Sequence, residues 1–277
     1  VAVGAAVGAV SGIHRYPVKS MLGESLPHAR VDACGVSGDR AWGLVHRDTG
    51  RVASAKQPRL WRGLLTFTAA GAGAGVRITA EDGECRAPTD PGVHSWLSRR
   101  LGQPVDLVDS PPAGATLERA EPDQVLLHGI TTAVATRESA LRGGGSFADF
   151  AALHLVTTST LAHLAALSPR RAVEWQRYRP NLVIATPPDG LVENAWPGRT
   201  LHIGPDLVLR VLLPTPRCAV PTLAHGRLPR DPDALRVPAR HNRVTPLPAL
   251  GPLPCVGVYA DVLHPGEIRS GDTVRLA

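Results

Sequence analysis

The stretch Leu207-Val208-Leu209-Arg210-Val211-Leu212-Leu213-Pro214-Thr215-Pro216-Arg217-Cys218 runs from an apolar, strand-like segment into a Pro-Thr-Pro exit that ends on a thiol. A thiol is thus delivered to a strand end beside a cation that cannot lose its charge. A neighbouring guanidinium favours thiolate over thiol, the form that both attacks and coordinates, so this is a place where a soft metal would take a ligand. A buried structural cysteine is the alternative that the stretch alone leaves open.

Working outward, short strands punctuated by Gly and Pro recur along the chain, at residues 7–16, 25–31, 41–46, 64–68 and 76–79 in the first half. A helix is predicted from Pro91 onward, with Trp96, Leu97 and Leu101 on one face. Residues 110–123 are rich in Pro, Ala and acidic side chains without periodicity and read as a linker, dividing the chain into domains 1–115 and 124–277. In the second half, strand-like Leu153-His154-Leu155-Val156 precedes Thr157-Thr158-Ser159-Thr160 and then Leu161, Leu164 and Leu167 at helical spacing. Thr158 or Ser159 is the expected N-cap, and a hydroxyl-rich helix start is also an anion site. The end of the chain, from Tyr259 through residues 266–276, reads as a hairpin closing a β-barrel. The fold class is therefore mainly β with some α.

Lysine is almost absent: Lys19 and Lys56 are the only two among 30 basic residues. Lys19 lies in Arg15-Tyr16-Pro17-Val18-Lys19-Ser20, where Pro17 biases Tyr16 towards extended geometry and the chain turns to present an ammonium beside the Ser20 hydroxyl. That pair suits a phosphate or a pterin carbonyl. Arg40, in Gly38-Asp39-Arg40-Ala41-Trp42, stands at the mouth of a hairpin. Arg179 lies between Tyr178 and Pro180-Asn181, ahead of a strand at 182–185, where Pro180 is expected to hold it extended and free to take a phosphate bidentately. Asn181 reads as a ring-edge contact or a loop brace, and Arg177 as solvated.

Composition narrows the classes. A chain of 277 residues with 43% hydrophobic and 4% aromatic content buries a core filled by Val, Leu and Ala. The net charge of +6 is carried by arginine without interleaved aromatics or a nucleic-acid-binding motif, so nucleic acid is disfavoured as a partner. Cys34, Cys85, Cys218 and Cys255 are scattered without CxxC spacing, which argues against zinc-ribbon and iron–sulfur sites and against a disulfide framework. Cys34 and Cys255 read as small apolar strand residues. The start, residues 1–13, has no charged n-region and is too short and Gly-rich to span a bilayer, so no membrane and a reducing cytoplasm are expected.

In order along the chain, Tyr16-Pro17-Val18-Lys19-Ser20, Gly38-Asp39-Arg40 with Trp42, Tyr178-Arg179-Pro180-Asn181-Leu182-Val183-Ile184, Glu193 with Trp196, Arg217-Cys218, and Gly257-Val258-Tyr259-Ala260 with Gly271-Asp272 resemble the MOSC superfamily, named for the C-terminal domain of molybdenum cofactor sulfurase. The resemblance implies a MOSC-type β-barrel core with an N-terminal β-rich domain, and a molybdenum cofactor (Mo-molybdopterin), with no pyridoxal phosphate. It places Lys19, Ser20, Arg40, Thr157, Thr158, Ser159, Arg179, Asn181, Pro216 and Arg217 at the cofactor, with Cys218 as molybdenum ligand and catalytic centre. It is strongest towards the amidoxime-reducing branch, which implies reduction of N-hydroxylated small molecules with electrons from a separate donor protein. The alternative is a non-redox carrier that passes on cofactor or sulfur through Cys218. The branch often carries Thr-x-Asp-Pro after its cysteine, whereas here Ala219-Val220-Pro221-Thr222-Leu223 follows, so Thr222 and His225 are expected to reshape the substrate wall. Trp196 is expected in the core or as a loop anchor, and His241, whose residue type could serve as a proton donor, in a solvated loop.

Overall fold

The computed structural model describes residues 4–143 and 145–277, so the first three residues of the 1–13 start lie outside the described residues. Seven strands form its centre: β1 (Ala5–Arg15), β2 (Leu153–Thr157), β3 (Leu182–Ala185), β4 (Thr200–Ile203), β5 (Leu207–Pro216), β6 (Leu253–His264) and β7 (Thr273–Leu276). Their spatial order is β2-β3-β1-β7-β4-β5-β6, and β6 pairs again with β2, so the sheet closes into a barrel. Every neighbouring pair is antiparallel except β2 and β3, which run parallel with Leu155 opposite Leu182. Closure removes the exposed edges that a sheet of this size would otherwise present.

The sequence alternation of β5 explains its place. Leu207, Leu209 and Val211 are buried inside the barrel, while Arg210 between them is exposed, the period of two that a half-buried strand requires. Val10, Ile13, Leu155, Ile184, Leu201, Ile203, Val258 and Val274 complete the same core. Trp196 joins it at 4% exposure, as expected.

A second core lies in the N-terminal half. Val18, Met21, Leu44, Trp61, Leu64, Phe67, Ile78, Trp96, Leu97 and Leu107 pack together beneath small antiparallel pairs, Gly43–His46 with Val105–Val108 and Thr68–Ala70 with Arg77–Thr79. The helix predicted from Pro91 forms at Val93–Leu101 and buries Val93, Trp96 and Leu97. The chain does not divide cleanly at the expected boundary. β1 belongs to the barrel, and His28–Asp32 pairs with Gly266–Arg269, so the first third of the N-terminal segment is bound to the C-terminal half.

Several expectations are corrected. Residues 110–123 are no linker: Thr116–Ala120 pairs antiparallel with Thr136–Ala140, and Pro122–His128 is a helix with Pro at its first turn, where a missing N–H costs nothing. The strand expected at 64–68 is a 3-10 turn, Arg62–Thr66, followed by the short strand Thr68–Ala70. At the C-terminus, Gly266–Arg269 leaves β6 to pair with His28–Asp32, and β7 pairs with β1 and β4, so closure is long-range and not a hairpin. The helix Thr158–Leu167 is capped by Thr157, whose hydroxyl accepts from the Thr160 amide at 3.1 Å. Arg177 is fully buried, because its guanidinium donates to Glu174 (2.7 Å) and to the Leu223 (3.2 Å) and Pro229 (2.9 Å) carbonyls. Cys34 is exposed in a turn, not in a strand, whereas Cys255 is buried in β6 as expected. His241 is exposed, at the end of the helix Asp233–His241 and not in a loop.

The pairing that closes the barrel brings Gly257 of β6 hard against β2. Gly257 has φ +75°, and a Cβ there would stand 2.2 Å from the Leu155 carbonyl oxygen of β2. Gly257→Ala is therefore expected to cost about 3 kcal/mol or more, left-handed strain plus a backbone clash. Gly50→Ala, also at positive φ but with nothing within 4 Å of its added methyl, should cost about 1 kcal/mol from strain alone. Urea unfolding of the two variants checks the difference.

Candidate functional site

One cavity of about 300 Å³ lies where the barrel meets the N-terminal half. It is lined at the entrance to β2 by Leu153 and His154, ahead of β3 by Tyr178, Arg179 and Asn181, and at the exit of β5 by Pro216, Arg217 and Cys218. Lys19, Ser20, Arg40 and the segment Ser54-Ala55-Lys56 close it from the N-terminal side. Lys19, Ser20, Arg40, Arg179, Asn181, Pro216, Arg217 and Cys218, all expected at a cofactor, therefore meet in one place.

The three hydroxyls expected beside them do not. Thr157, Thr158 and Ser159 follow the opposite end of β2 from the cavity, roughly 10 Å along the strand from His154 at about 3.3 Å per residue. Their oxygens are already engaged: Thr157 donates to Glu193 at 2.7 Å, Thr158 to the Thr186 carbonyl at 3.3 Å, and Ser159 to the Gly190 carbonyl at 2.7 Å. The buried Glu193 takes Thr160 as well, and its carboxyl is pushed up by burial. This network seals the helix to the barrel. Thr222 and His225 also lie outside the lining; Thr222 donates to the Ala219 carbonyl at 2.7 Å, and burial pulls His225 down to about 4.

Asn181 fixes the cavity floor. It is 1% exposed, and its side-chain oxygen accepts from the His154 amide (3.2 Å) and from Arg40 Nη1 (3.3 Å) while its Nδ2 donates to the His14 carbonyl (3.3 Å). Of the two roles open from sequence, the brace is the one observed. Arg179 precedes it in left-handed geometry, φ 55° and ψ 49°, rather than extended. Pro180 disfavours the right-handed helical region for Arg179, and the left-handed turn ends the 3-10 helix Trp175–Tyr178.

The electrostatics are one-sided. Six cationic side chains line the cavity, Lys19, Arg40, Lys56, Arg119, Arg179 and Arg217, against the single carboxylate of Asp149. Asp149 binds both lysines of the chain, Lys19 at 2.7 Å and Lys56 at 3.0 Å. Burial alone would raise its carboxyl, yet the two ammonium groups hold it well below the usual range. Arg40 is paired with Asp39. Arg179 has no such partner: its guanidinium carbon stands 4.3 Å from the Tyr16 ring centroid, and its Nη1 and Nη2 are buried without an acceptor. Burial pulls it down to about 10. A cation over a ring face gains about 0.5–2 kcal/mol, less than two unmade charged hydrogen bonds cost.

Cys218 is 6% exposed and packs with Ala55, Leu65, Val220 and Leu223. Arg217 turns its guanidinium to the Tyr178 and Val256 carbonyls and to His154 Nε2, each at 3.2 Å. Burial first, then Arg217, keep His154 neutral. Lys56, Asp149 and His154 were not read as site residues from sequence. For Lys56 a signal existed, since it shares with Lys19 the rarity of lysine; Asp149 lies in Ser146-Phe147-Ala148-Asp149-Phe150, where nothing marks it out.

A closed β-barrel carrying a cationic cavity with a thiol at one strand exit defines the class. The chain belongs to the MOSC-domain proteins: the MOSC domain matches residues 143–275 and the MOSC N-terminal beta barrel domain residues 7–89, which together cover more than half of it. MOSC domains are associated with molybdenum-cofactor-binding proteins. No curated protein matches the chain. Among solved structures, the YUAD protein from Bacillus subtilis is similar over 97% of this chain and 94% of its own, with 12% identity and a TM-score of 0.46. YiiM from Geobacillus stearothermophilus is similar over 52% of this chain and 67% of its own, with 14% identity and a TM-score of 0.34. Among the described residues no helix is long and apolar enough to cross a membrane.

Lys19 supplies a test of this electrostatic arrangement. It is 4% exposed, donates to the Phe147 carbonyl and to Asp149 at 2.7 Å each, and burial pulls its ammonium from 10.5 to about 8 despite Asp149. Its folded value lies below its unfolded one, so from about pH 8 to 10.5 the unfolded chain binds more protons and this group's contribution to stability rises with pH. Protein labelled at lysine Cε should give two resonances, one of them titrating near 8, and Asp149→Asn should move that midpoint lower. A midpoint above 10 for both lysines would mean that Lys19 is solvated.

Proposed function

We propose that this protein binds the molybdenum cofactor in the cationic cavity and reduces N-hydroxylated small molecules there. The observation that carries the reading is the buried, unpartnered guanidinium of Arg179 in a cavity with six cations and one carboxylate. Such an arrangement is costly in the ligand-free chain and is relieved by an anion carrying several acceptors, as a pterin phosphate does. The residues fit the group in a second respect, since Cys218 places a soft ligand in the same cavity. Among the described residues no three His, Cys, Asp or Glu side chains stand together as a metal site, so a metal here relies on Cys218 and on ligands that the cofactor brings.

When bound, the cofactor supplies two-electron chemistry at a metal centre; the rest is the work of this chain. Arg179, Lys19 and Arg40 hold the anionic end, with Asn181 fixing Arg40 and the chain around Arg179. Arg217 stands next to Cys218, its guanidinium held by the Tyr178 and Val256 carbonyls and by His154. The apolar packing of Ala55, Leu65, Val220 and Leu223 around Cys218 limits the approach of water. The substrate N–O bond accepts two electrons and two protons and leaves as N–H and water. Electrons come from a separate donor protein, and a reducing cytoplasm keeps Cys218 a thiol. The carrier reading is weaker, because sulfur transfer between proteins needs an accessible thiol and Cys218 is buried.

Two outcomes check this reading on protein made in a host that synthesises the cofactor. Cys218→Ser should lose turnover and retain less molybdenum, since a hydroxyl stays protonated at neutral pH. Arg179→Ala should lower extracted pterin about tenfold, from the loss of a charge-assisted bond worth about 1.5–3 kcal/mol, with cooperative unfolding intact. Wild-type pterin and molybdenum in both variants would place the cofactor elsewhere.

A third outcome concerns reaction type. Loaded protein reduced by a viologen dye should convert a hydroxylamine or amidoxime to the amine or amidine with no added partner. Transfer of cofactor or sulfur to an acceptor without any N–O reduction would install the carrier reading instead.

A further inference from the structure

The mouth of the cavity differs in chemistry from its floor. Six large apolar side chains stand exposed among the described residues, Leu127, Phe150, Leu167, Leu247, Leu250 and Leu263. Three of them, Phe150 at 45%, Leu247 at 40% and Leu250 at 44%, line this one cavity. Scattered surface leucines need no explanation, but half of the set gathered at one opening does. Pro246, Leu213 and Tyr259 extend the same surface inward, and Phe150 lies against Tyr259 with ring centroids 5.4 Å apart.

The two leucines are held in place. Leu247 precedes and Leu250 ends the 3-10 turn Pro248–Leu250, closed by the Leu250 amide donating to the Leu247 carbonyl at 2.9 Å. Pro246, Pro248 and Pro252 fix φ across the segment, so its leucines are presented with little ordering cost on binding. Below them lie the six cations. A ligand entering here meets apolar surface first and positive charge next.

We propose that Phe150, Leu247 and Leu250 form a subsite for an uncharged aryl or branched alkyl substituent of the substrate, selecting neutral N-hydroxylated compounds over cationic ones. The inference rests on the reading of the cavity as a reductase site and adds the determinants of its specificity. The charge pattern also favours turnover. An amidoxime is neutral near pH 7, whereas the amidine left after N–O cleavage, which consumes two electrons from the reductant and two protons and releases water, is protonated. The cations that tolerate the substrate repel the product.

The test uses molybdenum-loaded protein and a phenyl-substituted amidoxime. Calorimetric binding to the oxidised protein, which does not turn over, is measured for wild type, Leu247→Asp, Leu250→Asp and Leu263→Asp, with molybdenum content as the loading control. Each of the first two should weaken binding about tenfold at equal molybdenum. Leu263→Asp, outside the cavity, should bind as wild type. With dye as reductant, the two rim variants should raise KM more than they lower kcat for this substrate. Equal affinity in all four proteins overturns the subsite and leaves the apolar rim to a protein partner; no binding to the loaded wild type overturns it as well. A wild type that binds the amidoxime but never reduces it sinks the reductase reading while the subsite stands.

Discussion

The buried side-chain amide of Asn181 is the constraint on which the site depends. It meets the carbonyl of His14 at the end of β1, the amide of His154 in β2 and the guanidinium of Arg40, while its own backbone donates to the His154 carbonyl at 2.7 Å and accepts from the His14 amide at 2.8 Å. An amide suits this position because it both donates and accepts; a carboxylate of the same size could not serve the carbonyl of His14. Two halves of the chain, one from residue 14 and one from beyond residue 150, are thereby held in register at the cavity floor. Arg179 inherits its place from this lock, since Pro180 leaves little freedom between it and Asn181.

Charge is the second constraint. Arginine is the default cation throughout the surface, yet the two lysines are spent on one carboxylate inside the cavity wall. A compact ammonium with three rotatable donors serves the carbonyl of Phe147 and Asp149 at once, and it tolerates a lowered pKa where a guanidinium would not readily deprotonate. Asp149 then neutralises part of the excess while Arg179 is left without an acceptor. A protein under selection for stability alone would not keep such a group. Arg177, fully buried two residues away, shows the contrast: each of its guanidinium nitrogens has an acceptor, whereas both terminal nitrogens of Arg179 have none.

Much of this was legible from residues. The alternation in 207–213, the apolar run at 182–185 and the helix after Thr157 report local periodicity, and local periodicity survives folding. Pro216, Arg217 and Cys218 were legible because a strand exit forces its last side chains to one end of a barrel. What escaped is what depends on distant partners. Residues 116–120 looked like linker because a strand of five residues shows its nature only against Thr136–Ala140. Arg177 looked solvated because two of its three acceptors, the Leu223 and Pro229 carbonyls, lie some fifty positions away, and Asp149 was invisible because only folding brings both lysines to it. The hydroxyls at 157–159 misled for a further reason: a helix N-terminus offers its amides to any anion, and sequence does not say which end of the barrel it faces.

The location of the cavity follows from how the barrel closes. β2 is the seam, parallel to β3 on one side and antiparallel to β6 on the other, and a parallel neighbour cannot be joined by a tight turn. The chain must therefore cross from β2 to β3 through the helix Thr158–Leu167 and return at Tyr178, which delivers Tyr178-Arg179-Pro180-Asn181 to the entrance of β3, beside the entrance of β2. β5 passes the entrance of β2 at Leu213, which lies opposite Tyr259 as Tyr259 lies opposite His154, and its exit carries Pro216, Arg217 and Cys218 into the same cavity. The entrances of β2 and β3 and the exit of β5 thus line one cavity, and the N-terminal half supplies Lys19, Arg40 and Lys56 to cover it. Cations on one side, a thiol at a strand exit and an apolar rim come together because the seam of the barrel is the place where side chains from distant segments can share one space without interrupting the core.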